Sequence, residues 1–173
     1  AIGENCFKNS DIVNIELPKT IDELENNAFE NSSLQRIVAE GVESCWNSAV
    51  FKNCFSLNEE YMPNITYLGE EAFYNCSMIN TLSFKDNLKT AEIQCLSGTG
   101  ITEADFPNLT YINRAFESTP VKTASLPKLK DLNGAFRGCT LLESVYIPNV
   151  YKIGEYAFGG CVSLPQDMDF SKI

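Results

Sequence analysis

Phe7, Phe29, Phe51 and Phe73 stand 22 residues apart, three steps in a row. The register then loosens but persists, with Leu96, Phe116, Phe136 and Phe158 following at steps of 23, 20, 20 and 22. A period of this length makes the chain about eight copies of one small unit, and it constrains the fold more than any local signal. A unit this short cannot bury its own apolar face. It does so by stacking on its neighbours, and the stack is a solenoid.

Other columns keep the same register. Three residues after each Phe (or Leu96) comes a small residue: Ser10, Ser32, Cys54, Cys76, Thr99, Thr119, Cys139 and Cys161. An L-x-x-I-x-L pattern follows, as in Ile12-Ile15-Leu17, Leu34-Ile37-Ala39, Ile79-Leu82-Phe84, Ile101-Ala104-Phe106, Val121-Ala124-Leu126 and Leu142-Val145-Ile147. Leu57-Glu60-Met62 fits imperfectly, with a charge in the middle. The last three residues alternate in and out as a short strand does. Pro18, Pro63, Pro107, Pro127 and Pro148 close these strands, because proline has no ladder donor. One parallel strand per repeat is expected on one face, about eight in all. Short 3₁₀ or helical turns carrying the Ala-Phe motif are expected on the other. The seven column phenylalanines should form one stacked, buried spine.

The small column divides by gap. After Cys54, Cys76 and Cys139 the first aliphatic lies three residues on, whereas after Ser10, Ser32, Thr99 and Thr119 it lies two on. A hydroxyl can bond the local backbone, while a thiol behaves as a small hydrophobe, so two turn geometries are expected.

Three segments, "IGEYAFGGCVSL", "LGEEAFYNCSMINTLSF" and "AFRGCTLLESVYIPNV", resemble bacterial leucine-rich repeats of the BspA (Treponema pallidum) type, whose repeat reads I-G-x-x-A-F-x-x-C-x-x-L-x-x-I-x-I-P. The resemblance runs from Ile2 to about Leu164 and is weakest at Ala49-Val50-Phe51 and Cys95-Leu96. It implies a leucine-rich-repeat solenoid of parallel strands, on cell surfaces of host-associated bacteria and some protozoa. It implies adhesion or binding rather than catalysis, and it names no ligand.

Composition narrows the function. A net charge of −10 disfavours binding to nucleic acid or anionic membrane, both of which need a basic face. No run of 18 apolar residues is present to span a bilayer. No signal peptide is visible in the sequence. Residues 1–173 read as a single domain. Both Ile2–Phe7 and Met168–Ile173 look like repeat interior, so the expectation is a piece of a longer chain, or an end covered by end-to-end self-association.

Seven cysteines are an odd number, no C-x-x-C occurs, and with no histidine the mixed Cys/His zinc patterns are excluded. Stacked pairs such as Cys54 and Cys76 would lie about 5 Å apart with side chains in parallel, which opposes disulfide bonding. The expectation is buried thiols in the column, with Cys6 and Cys95 as core fillers and Cys45, beside Trp46, as the exposed one. Asn9, Asn31, Asn53 and Asn75 also recur, two after each Phe. They read as a turn ladder whose amides satisfy loop backbone. A row of polar ligand contacts is the alternative.

Absence of histidine removes Ser-His-Asp, Cys-His and His-metal chemistry. No glycine-rich phosphate loop occurs, since Gly98-Thr99-Gly100 is an inter-repeat turn. Glu103 and Asp105 could form a carboxylate pair, but an open face lacks the cleft such a pair needs. No catalytic, cofactor or metal residue is assigned. The outward strand positions are the candidate ligand face: Glu16, Arg36, Glu59, Tyr61, Thr81, Ser83, Glu103, Asp105, Thr123, Ser125, Ser144 and Tyr146. The expected function is a surface recognition module for a protein or glycan. The alternative is a structural spacer presenting another domain.

Overall fold

The computed structural model of the protein describes residues 1–168. It is a parallel-strand solenoid of about seven turns. Eleven strands of two or three residues occur among the described residues: β1 (Asn14–Glu16), β2 (Arg36–Val38), β3 (Glu59–Tyr61), β4 (Tyr67–Leu68), β5 (Thr90–Ala91), β6 (Glu103–Asp105), β7 (Tyr111–Ile112), β8 (Thr123–Ser125), β9 (Asp131–Leu132), β10 (Ser144–Tyr146) and β11 (Lys152–Ile153).

They form two ladders rather than the one expected. The L-x-x-I-x-L segments give a main ladder in two pieces, β1-β2-β3 and β6-β8-β10, all parallel. A second ladder, β4-β5-β7 and β9-β11, is extended by bridges Ile2–Leu24, Cys45–Leu68 and Asn113–Asn133. Each of its strands turns one residue inward: Leu24, Cys45, Leu68, Ala91, Ile112 and Leu132 are buried, and Ile153 is half-buried. Cys45 is therefore a core residue, not the exposed thiol expected from its place off the Phe register. The exposed cysteine is Cys6, and Cys161 is half-buried. Burial, and next Glu60, push the Cys45 thiol up to about 12.

The Ala-Phe segments are hydrogen-bonded turns, and no helix occurs among the described residues. Their backbone N–H groups alternate. Asn27, Phe29 and Asn31 donate to Ser48, Val50 and Lys52 of the next turn, whereas Ala28, Glu30 and Ser32 donate three residues back to Glu25, Asn27 and Phe29. This arc serves every donor in turn, which a buried backbone requires. It also needs two left-handed residues per turn, four apart: Asn27 and Asn31, then Ala49 and Asn53, then Glu71 and Asn75. Only glycine and, less readily, asparagine accept that conformation without strain.

The asparagine column occupies the second of these sites. Its amides bond each other, Asn31 to Asn9 at 3.2 Å, Asn53 to Asn31 at 3.0 Å and Asn75 to Asn53 at 3.0 Å. The expected bonds to loop backbone come from a different column. Asn64, Asn87, Asn108 and Asn149 donate to carbonyls of Glu40, Pro63, Asp86 and Pro127, one turn back.

Inside, the phenylalanines make two stacks, not one spine. Phe7, Phe29, Phe51 and Phe73 stack with centroids 4.9–5.3 Å apart, and Phe116, Phe136 and Phe158 at 5.5 and 6.0 Å. Leu96 interrupts them. Phe84, in the turn after 81–83, and Phe106, just after β6, supply rings instead, 6.1 Å from Phe73 and 5.4 Å from Phe116. The interior rings are fully buried, but Phe7 and Phe158 are only half-buried.

The small column shows the two expected geometries only in part, since Ser32 Oγ meets Cys54 Sγ across the turn at 3.4 Å and the buried Ser10 Oγ has no hydrogen-bond partner among the described residues. Thr99 and Thr119 bond their own turn, donating to Leu96 and Phe116 carbonyls at 2.7 Å. The thiols of Cys54, Cys76, Cys139 and Cys161 reach back a turn, donating to the carbonyls of Phe29, Phe51, Phe116 and Phe136 at 3.0 Å. These cysteines are inter-turn donors as well as filler. The closing segment 169–173, expected to be repeat interior, lies outside the described residues.

Candidate ligand face and its break at the fourth turn

The main ladder sets its outward residues in two columns. Asn14, Arg36 and Glu59 are in register on β1-β2-β3, and Glu103, Thr123 and Ser144 on β6-β8-β10. The companion column runs Glu16, Val38, Tyr61 and then Asp105, Ser125, Tyr146. Nearly all these side chains are exposed, Tyr61 by 50% and Tyr146 by 60%; Ser125 is half-buried and Val38 buried. Glu103 and Asp105 both sit exposed on β6.

The expected face is not continuous. Thr81 and Ser83 belong to it by register, yet 81–83 is not a strand and pairs with neither β3 nor β6. The cause is Glu60. Its position is the inward one occupied elsewhere by Ile15, Ile37, Leu82, Ala104, Ala124 and Val145. A carboxylate there has to find donors. Glu60 accepts from the backbone N–H of Ser83 and, at 2.7 Å, from its hydroxyl. Ser83 Oγ in turn accepts from the N–H of Met62 at 2.9 Å. Side chains thus take the backbone donors that a ladder would have used. Burial pushes the Glu60 carboxyl up to about 7, although the hydrogen bonds from Ser83 and Met62 oppose it.

A cleft opens on either side of 81–83. One, of ≈470 Å³, lies toward β2 and β3 and is lined by Arg36, Glu59, Tyr61, Thr81 and Ser83. The other, of ≈360 Å³, lies toward β6 and is lined by Thr81, Lys85, Glu103 and Asp105 over a floor of Leu82, Ile101 and Phe106. Charges across the rims are matched at long range, Arg36 Nε to Glu59 at 3.4 Å and Lys85 Nζ to Asp105 at 3.8 Å. Both pairs are solvent-exposed and break readily for an incoming polar group.

The structure therefore gathers seven of the twelve expected face residues around one break: Arg36, Glu59, Tyr61, Thr81, Ser83, Glu103 and Asp105. Glu16 lies apart at the first-strand end, and Thr123, Ser125, Ser144 and Tyr146 continue the β8-β10 sheet away from it. Glu60 and Lys85 were not among the expected residues. The charge at the inward position was the signal for Glu60. Lys85 stands where other repeats carry the strand-closing proline, and the missing proline was its signal.

A family model described as "BspA type Leucine rich repeat region" matches the chain in six copies, over residues 1–122 and 132–172. Among solved structures, a leucine-rich repeat protein of T. pallidum is 21% identical, with a TM-score of 0.81 over 91% of this chain and 80% of that one. A leucine-rich repeat protein from Bacteroides ovatus is 22% identical, with a TM-score of 0.53 over 93% of this chain and 61% of that one. At such identities these likenesses are of fold alone. No curated protein matches the chain.

Proposed function

This chain belongs to the BspA-type leucine-rich repeat family, and we propose that it is a non-catalytic recognition module that binds a protein or glycan at the broken strand face. It works on the outside of a cell, the setting implied by the family resemblance. The observation that carries the reading is the pair of clefts flanking 81–83. An unbroken ladder would present a smooth row of side chains. Here two hollows open in the middle of the face, with hydroxyls, the carboxylates of Glu59, Glu103 and Asp105, a tyrosine, an arginine and a lysine around them and an apolar floor in one. Shape with a few convergent polar groups on an apolar base is what a ligand site needs. Extended arrays bind through such faces.

The test is an array of glycans and host surface proteins probed with the labelled domain and with Thr81→Arg. Thr81 is exposed and lines both clefts, so arginine fills them without touching the core. A ligand held by the native domain and weakened about tenfold or more by Thr81→Arg supports the reading. No retained ligand, or one indifferent to Thr81→Arg, favours the spacer instead.

A further inference from the structure

A second exposed feature lies on the other ladder, away from the strand face. Trp46 is the chain's single tryptophan and is 65% exposed. It follows the inward residue Cys45, where other turns place Glu25, Gly69, Glu92, Asn113, Asn133 and Gly154. This turn also carries one residue more than its neighbours, with four residues between Cys45 and Val50 but three between Leu24 and Ala28. Gly69 accommodates the bulge, since a Cβ there would stand 2.6–2.7 Å from the carbonyl oxygens of Cys45, Trp46 and Asn47. The indole is propped from behind by Tyr67, stacked at 4.0 Å, and Tyr67 is fixed by its hydroxyl donating to Glu92 at 2.9 Å. A large, rigid aromatic face is thus held out in water with no role in the core.

Beside it lies an open trough of ≈370 Å³ lined by Asp22, Glu23, Glu43, Ser44 and Trp46. All three carboxylate residues are exposed. Glu23 and Glu43 form no ion pair among the described residues, and Asp22 has the chain's amino group at 3.9 Å. Lys19, the lysine on the adjoining turn, is engaged by Glu40 at 2.7 Å. The surrounding half of the chain deepens the potential. Residues 1–92 hold 15 acidic and 6 basic residues, whereas residues 93–173 hold 8 and 7.

We propose that this trough docks a basic segment of a protein partner, with an arginine or lysine side chain stacked on Trp46 and its charge met by Glu23, Glu43 and Asp22. An exposed indole face attracts a cation through its quadrupole, and guanidinium adds planar stacking. The carboxylates supply the complementary charge that steers such a segment in. A small quaternary ammonium ligand is held by several rings closing round it, but a single ring lines this open trough. Affinity must then accumulate over several basic residues, which a peptide segment provides. This surface is separate from the strand face, and its test reads a different residue.

The protein holds its own reporter, since all tryptophan emission comes from Trp46. The domain is titrated with a blocked peptide of alternating glycine and arginine, and with tetramethylammonium and a neutral maltooligosaccharide in parallel. The expected result is a saturable change in emission with the peptide alone, its affinity falling about tenfold between low and physiological salt. Binding of a fluorescent version of the peptide, followed by anisotropy, should weaken about tenfold in Trp46→Ala and in the double variant Glu23→Gln, Glu43→Gln. The double variant alters only exposed side chains, so it keeps the test valid if Trp46→Ala disturbs the turn. No emission change at millimolar peptide, peptide binding unaltered in both variants, or an equal response to the neutral sugar or to tetramethylammonium would each overturn the proposal.

Discussion

In the first four sequence repeats the left-handed site two residues after the phenylalanine is Asn9, Asn31, Asn53 and Asn75. In the last four, counted from Leu96, Phe116, Phe136 and Phe158, it is Gly98, Ser118, Gly138 and Gly160. The backbone makes the same turn in both halves, with φ between 56° and 61° in the asparagines and between 59° and 81° in the others. One half meets the requirement with a side chain that tolerates the left-handed region and bonds its own copy in the next turn. The other mostly removes the side chain. The two solutions meet at Gly98, where a Cβ would stand 2.6 Å from the Asn75 side-chain oxygen. The repeat therefore conserves a backbone shape, not a residue, and each half is free to differ elsewhere. The first keeps a strict 22-residue step and four stacked rings, and it carries nearly all the net negative charge. The second has steps of 20 to 23, three stacked rings and nearly balanced charge.

The ring stacks give the largest test of that contrast. Phe73→Ala removes a fully buried ring in contact with Phe51 and Phe84, and it should cost about 3–5 kcal/mol in urea unfolding. Phe136→Ala should fall at the lower end of that range, because its outer partner Phe158 is only half-buried and can relax. A Phe136 loss clearly exceeding that of Phe73 would show that the second half, not the first, holds the stability. A melting transition unchanged by Phe73→Ala would sink the stacking argument altogether.

Next in size is Glu60, at the boundary between the halves. Its carboxyl stands at about 7 in the folded chain against an ordinary 4.5. The folded state therefore binds this proton more tightly. The stabilisation is full below pH 4.5 and is lost as pH rises through 7, by at most about 3 kcal/mol. Glu60→Gln keeps the group neutral and should flatten this loss. The check is the urea midpoint of both proteins at pH 5 and pH 8. Equal slopes would mean that the carboxylate is already well solvated and that the break in the ladder has another cause.

The smallest effect concerns the left-handed column itself. Asn53→Gly keeps the backbone conformation but loses two amide bonds, one to Asn31 and one from Asn75. It should cost about 1 kcal/mol. Gly138→Ala, at φ 74°, should cost about 1–2 kcal/mol, mainly through backbone strain, with the new Cβ also pressing on Ser118 Oγ at 3.1 Å. Thermal melts of the two variants separate the contributions. If Asn53→Gly is neutral, the asparagines serve only as residues that tolerate the turn.

Much of this was readable from the residues, and the misses share a cause. The main strands announce themselves because three alternating residues, such as Ile15 between Asn14 and Glu16, suffice to show period two. The second ladder has two-residue strands with one inward side chain each. A column reading Leu24, Cys45, Leu68, Ala91, Ile112 is too varied in size to register as apolar periodicity, and so Cys45 looked like an outsider. The asparagines were visible in register, but whether an amide bonds backbone or its own copy depends on an inter-turn spacing that no local pattern encodes. Of the candidate face, the columns were legible from alternation. The break was not, because Glu60 was visible as a misfit while its partner, the Ser83 backbone, lies 23 residues away.

That break has a mechanical meaning. On the far side of the core the turns stay bonded through the fourth repeat. Glu71, Phe73 and Asn75 donate to Ile93, Cys95 and Ser97, and the second ladder runs on through β4, β5 and β7. The strand face alone lacks its backbone rungs there. Side chains tie it there instead, Ser83 to Glu60 and Met62 to Ser83. These bonds stand in place of backbone rungs between β3 and residues 81–83, so a substitution that removes the Glu60 carboxyl loosens the strand face while the far side of the core stays bonded.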